Sequence, residues 1–117
     1  MDTEFTHRPS FTQLIVELDP GESILAEPGA MVGHSESVSV ETTTSRDGLL
    51  SSAKSMLGGE SVFANEFVAE GSPGRVMLSP GTPGDVMEHR LENETLYATD
   101  GAFLATTPEI DIDSEIG

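Results

Sequence analysis

The chain has 117 residues, 21 of them Asp or Glu against 5 Lys or Arg, a formal charge of −16 and no cysteine. That length suits a single domain with a small core, and the missing thiols exclude a disulfide framework and thiolate metal sites. The acids run from Asp2 to Glu115 instead of forming a tail; they read as the solvated surface of a halophilic cytoplasmic protein, where salt near 1 M screens self-repulsion beyond about 3 Å, and they leave no basic run for nucleic acid.

Residues 1–10 (MDTEFTHRPS) are too polar and acidic for a signal peptide, and no apolar run approaches the roughly 20 residues that span a bilayer. The first predicted strand is residues 11–18, FTQLIVEL, with Leu14, Val16 and Leu18 on one face. Pro20-Gly21 turns it, residues 23–27 run extended, and Pro28-Gly29 turns the chain again. Val38 and Val40 alternate with serine in a further strand. Residues 47–57 (DGLLSSAKSML) break this rhythm: Leu49, Leu50, Ala53, Met56 and Leu57 fall at helical spacing and Gly58-Gly59 stops them, which predicts one short helix. Residues 62–69 return to strand, Ser72-Pro73-Gly74 breaks it, and Val76 to Leu78 precede the rigid turn PGTPGD with Gly81 and Gly84. Residues 86–91, 95–99 and 102–106 read as three more strands, with Ile110 and Ile112 starting another. Short strands between Gly and Pro turns predict an all-β sandwich or barrel-like fold.

The pattern is written twice. Residues 22–41 lie over residues 94–113 without a gap, an offset of 72 positions (94 − 22). Glu22 meets Glu94, Ala26 meets Ala98, Gly29 meets Gly101 and Ala30 meets Ala102; Ile24 and Leu25 meet Leu96 and Tyr97, Met31 and Val32 meet Phe103 and Leu104, and Val38 and Val40 meet Ile110 and Ile112. This predicts one β unit built twice around a shared interior: a first unit over about residues 11–91 and the start of a second over about 92–117, within a single β domain spanning 1–117. Gly21, Gly29, Gly74, Gly81, Gly84 and Gly101 are its expected turn glycines.

LDPGESILAEPGAMV, Glu41-Thr42, LGGESVFANEF, GRVMLSPGTPGDV and TDGAFLA occur in that order over nearly the whole chain. Together they resemble the altered inheritance of mitochondria 24 family. The resemblance implies a double-stranded β-helix like that of the tryptophan RNA-binding attenuator protein, whose internal pseudo-symmetry would account for the repeat. It implies no catalytic residues: the mitochondrial member is associated with inner-membrane organisation, and the prokaryotic members carry no established biochemical activity. Members are usually about twice this length, so this chain is expected to be a fragment or a shortened member with open strand edges.

The residues themselves point to little chemistry. A cupin metal motif counted from Gly84 places its two histidines at Arg90 and Glu92, while His7, His34 and His89 are dispersed. Ser35 sits in GHSES, which lacks the final glycine of a nucleophile elbow, and LGGES lacks the strand-glycine-helix context of a phosphate loop. Glu92 and Glu94 share a strand face, as do Asp111 and Asp113 opposite Ile110 and Ile112, and these acids read as solvated rows. No catalytic, metal or cofactor-binding residue is therefore expected, and no cofactor. The expected function is a non-catalytic oligomeric scaffold or binding protein, self-associating through open edges and free to hold a further protein partner. Leu49, Leu50, Met56 and Leu57 are the expected interaction residues. Two alternatives are a cupin-like metal or small-molecule enzyme, which needs His and carboxylates converging in a cavity, and an RNA-binding protein, which needs Arg8, Arg46, Arg75 and Arg90 on one surface.

Overall fold

A computed structural model describes residues 1–43, 64–98 and 102–111. Among these residues eight strands form two four-stranded antiparallel sheets: β1 (Asp2–Thr6), β2 (Gln13–Leu18), β3 (Ser23–Ala26), β4 (Met31–His34), β5 (Val38–Thr43), β6 (Ala64–Ala69), β7 (Gly74–Leu78) and β8 (Ala105–Thr106). The first sheet has the order β1-β2-β7-β4 and the second β5-β6-β3-β8. Strands β2 to β5 alternate from sheet to sheet. The returning pair then inserts between them, β7 between β2 and β4, and β6 between β3 and β5.

The period-two pattern decides which faces meet. Leu14, Val16 and Leu18 of β2 lie buried beside Val76 and Leu78 of β7, and opposite them the second sheet contributes Ile24, Ala26, Val38, Phe67 and Ala69 to one cluster. Phe67 and Val16 are wholly buried; each such aliphatic or aromatic side chain contributes about 1.5–3 kcal/mol by leaving water. Polar neighbours on the same strands, such as Gln13, Glu17 and Arg75, point outward. Gly29 sits between β3 and β4 at φ 90°, a conformation that glycine adopts without a Cβ penalty. The Ala30 N–H donates to Glu27 O at 3.1 Å and closes that turn.

Gly74 plays another part. It opens β7 as a buried residue where a turn glycine was expected, and the positive φ of the β6–β7 connection falls on Gly71 instead. A Cβ on Gly74 would stand 2.5 Å from Val38 Cγ2, so its lack of a side chain lets the two sheets close at their corner. Three further expectations change. β1 forms from residues read only as polar, because Phe5 packs against the core and Asp2 to Thr6 pair with Glu17 to Gln13. Residues 86–91 and 95–98 form no strand, since alternation alone makes a strand only where a neighbour supplies the ladder. The strand expected at 102–106 contracts to Ala105–Thr106, and the chain turns at 108–109, the Ile110 N–H donating to Thr107 O, instead of continuing extended. Among the described residues there is no helix; the helical segment expected at 47–57 lies outside them.

Candidate functional site

Among the described residues, a dense polar constellation joins the β1–β2 connection to the loop after β7. Gly84 N–H donates to Ser10 O at 2.6 Å and Thr12 N–H to Gly84 O at 3.1 Å, so the two loops run side by side. This places Asp85 beside Arg8 and Thr12. The Arg8 guanidinium forks onto the carboxylate, Nε to Oδ1 at 2.9 Å and Nη2 to Oδ2 at 3.3 Å, and Nη2 also donates to Val86 O at 2.9 Å. The Thr12 hydroxyl, fully buried, donates to Oδ1 at 2.6 Å, and the Val86 N–H reaches the same oxygen at 2.9 Å. Arg8 also stands 4.8 Å from the centroid of Phe5.

The Thr12 hydroxyl, then Arg8 and the Val86 N–H, stabilise the charged carboxylate and lower the Asp85 pKa to about 2. A carboxylate so acidic is a poor proton acceptor near neutral pH, and with three donors on Oδ1 and Arg8 Nη2 on Oδ2 this corner acts as a clamp between loops. Beside it lies an open hollow of about 230 Å³ lined by Phe11, Thr12, Ser79, the turn from Pro80 to Pro83, and Gly84. No side chain of that lining titrates near neutral pH.

The residues considered for chemistry stay apart. His7 lies in the β1–β2 connection, His34 ends β4 with its ring 6.2 Å from Phe67, and His89 Nε2 lies 3.2 Å from Glu94 Oε1. No group of three His, Cys, Asp or Glu among the described residues could hold a metal ion. Ser35 carries out backbone work: its N–H donates to Arg75 O at 2.9 Å, and its hydroxyl accepts from the Arg75 N–H at 2.9 Å. Arg8 and Arg75 are each engaged by a carboxylate, Arg75 by Glu17 at 2.7 Å, and they sit at opposite ends of β2. Glu92 and Glu94 are exposed. Of the turn glycines, Gly21 and Gly29 have φ of 87° and 90°, Gly81 lies in the bend of the loop after β7, and Gly84 bridges Phe11. Gly101, Asp113, Arg46 and the proposed interaction residues Leu49, Leu50, Met56 and Leu57 lie outside the described residues.

The exposed surface also carries large apolar side chains. Met31 and Val32 of β4, Val40 of β5, and Met87, Leu96 and Tyr97 of residues 85–98 all present large side chains to solvent. β4 and β5 are edge strands. In the alignment at an offset of 72 positions, Leu96 and Tyr97 fall on Ile24 and Leu25, which are buried. No helix among the described residues is long and apolar enough to cross a membrane.

Comparison with known proteins fits this architecture. The chain is 32% identical over 101 residues to an uncharacterized protein of Streptococcus pyogenes serotype M6, a match covering 81% of this chain and 40% of that protein. It also resembles the crystal structure of protein SPYM3_0169 from Streptococcus pyogenes, with a TM-score of 0.69 and 30% identity, over 89% of this chain and 49% of that one. The chain thus spans about half the length, or less, of these relatives. The family profile described as "Mitochondrial biogenesis AIM24" matches residues 3–117, and the chain belongs to that family.

Proposed function

We propose that this chain is a non-catalytic scaffold that works by assembling, with itself and with a further protein partner, in an acidic, salt-adapted cytoplasm. The observation that supports this reading most is the filled interior. The space between the sheets, where a cupin-like enzyme would hold its ligand, is occupied by Leu14, Val16, Ile24, Phe67, Val76 and Leu78. Apart from Met1 and Phe11, the large apolar side chains left outside among the described residues are on edge strands and on residues 85–98, which form no strand, and these are the places where β proteins add strands. The alternation of β2 to β5, with β6 and β7 inserted, supports a double-stranded β-helix like that of the tryptophan RNA-binding attenuator protein as the winding of the complete family fold. An RNA-binding role is less well supported, because Arg8 and Arg75 already face carboxylates at opposite ends of one strand.

The test is light scattering in 2 M KCl across a range of protein concentrations. Assembly beyond one copy agrees with the proposal; a strict monomer at every concentration refutes it.

A further inference from the structure

The sequence repeat and the sheet pairing, taken together, specify how such an assembly closes. β8 pairs antiparallel with β3, Leu25 opposite Thr106 and Ala26 opposite Ala105, and the Glu27 N–H extends the ladder to Leu104 O at 2.8 Å. β3 belongs to the first copy of the repeat. β8 belongs to the second, where Ala105 and Thr106 correspond to Gly33 and His34 of β4. The contact is therefore one between the β3 position of one unit and the β4 position of the other. Leu104 and Ala105 pack against the core through it.

The reciprocal contact is missing within the chain. Moving each partner by the repeat offset of 72 positions sends Leu25 to Tyr97 and Ala26 to Ala98, and brings Thr106 to His34 and Ala105 to Gly33. Yet among the described residues β4 bonds only to β7 and leaves its other edge open, while residues 95–98 pair with no strand. Exposure marks the same gap: Leu25 is 1% exposed where the ladder exists, and its counterpart Tyr97 is 72% exposed where it does not.

Charge singles out these two surfaces. The other long edge strands are guarded, β1 by Asp2 and Glu4 and β5 by Glu41. β4 (MVGH) and residues 95–98 (TLYA) carry no carboxylate in a chain of net charge −16. Charged side chains are what keeps an edge from pairing, and these two segments lack them. The bulge in β4 falls between Met31 and Gly33, before the two residues concerned, so it leaves their ladder groups in place.

We propose that a second copy of this chain supplies the missing contact: residues 95–98 of each copy pair antiparallel with β4 of the other, Tyr97 opposite His34 and Ala98 opposite Gly33, in a two-fold dimer. A two-fold axis satisfies both contacts at once, since each copy gives one segment and receives one. This rests on the assembly reading above and adds to it a partner, a register and a stoichiometry.

The absence of cysteine makes the test clean. Residues directly opposite in an antiparallel ladder have Cα atoms about 4.5–5.5 Å apart, within disulfide range. His34→Cys and Tyr97→Cys are made singly and together, checked for native melting, and oxidised in 2 M KCl. The mixed single variants are expected to give one disulfide-linked dimer as the main product, with little from either alone, and the double variant a covalent dimer. A slipped pair, Glu36→Cys with Tyr97→Cys, is expected to link at least tenfold less. A double variant that closes within a monomer, a ladder of higher species, or no preference for the matched register each overturns the proposal. Tyr97→Glu is a second check: it should raise the dimer dissociation constant at least tenfold, and unchanged dimerisation contradicts the register. An oligomer seen by light scattering without the register-specific disulfide defeats this inference alone, whereas a strict monomer defeats the assembly reading as well.

Discussion

Replacing Gly74 with Ala tests whether the corner between the sheets is as tight as its geometry indicates. Gly74 has no positive φ, so alanine meets no backbone strain there. Left to backbone entropy, the substitution would stabilise by about 0.4–1 kcal/mol. The new Cβ, however, would stand 2.5 Å from Val38 Cγ2, 3.2 Å from Ser37 Oγ and 3.3 Å from Ala69 Cβ. Ordinary carbon contacts lie at about 3.5–4.0 Å, so Val38 must retreat by about 1 Å. Val38 is held in β5 opposite Ala69 and is itself buried, so the retreat disturbs two strands. Overpacking of this kind costs about 1–3 kcal/mol, which exceeds the entropic gain and leaves a net loss of about 1–2 kcal/mol. For a small domain that lowers Tm by roughly 4–16 °C. The assay is thermal unfolding by circular dichroism in 2 M KCl, with Val38→Ala and the double variant completing a cycle. Removing the Val38 methyls should recover about 1 kcal/mol in the Gly74→Ala background. A neutral or stabilising Gly74→Ala, or strict additivity with Val38→Ala, would refute the steric account.

Other consequences follow from the core, the clamp and the surface charge. Phe67→Ala, at a wholly buried site between the sheets, should destabilise by about 3–5 kcal/mol in denaturant titration, while Arg75→Ala, which loses only an exposed pair with Glu17, should change stability by less than about 1 kcal/mol; similar losses for both would mean the interior is not where stability resides. Asp85 has a folded pKa of about 2, below its ordinary value of 3.8. Its contribution is therefore present above about pH 4 and is lost as pH falls through about 2. The Tm gap between the natural chain and Asp85→Asn should be open at pH 6 and shrink steadily as pH falls from about 4 towards 2, and a gap that stays constant over that window would contradict the clamp. Finally, Tm should climb as KCl is raised from 0.1 to 2 M, because the net charge of −16 repels itself least when screened; a flat dependence would remove the argument for salt adaptation.

Much of the fold was legible because it is written in short-range alternation. Leu14, Val16 and Leu18 announce the inner face of β2, and Pro28-Gly29 announces the bend between β3 and β4, since both depend on residues adjacent in sequence. β1 was not legible: its strand exists because Phe5 finds Leu14 and the core, and five mostly polar residues give no periodic signal of that. The Arg8–Asp85 clamp joins positions 77 apart, which no local pattern specifies. Residues 86–91 and 95–98 failed in the opposite sense, showing strand-like alternation with no neighbour to pair with among the described residues.

The sequence by itself determined the class of the fold and the inward faces of its central strands, because period-two hydrophobicity and turn chemistry are properties of neighbouring residues. Only the tertiary structure decided that β7 runs between β2 and β4, that Gly74 is a point of closest approach instead of a turn, and that β3 receives β8. Strand order and close approach arise from which distant surfaces bury each other, a choice made by the whole chain at once.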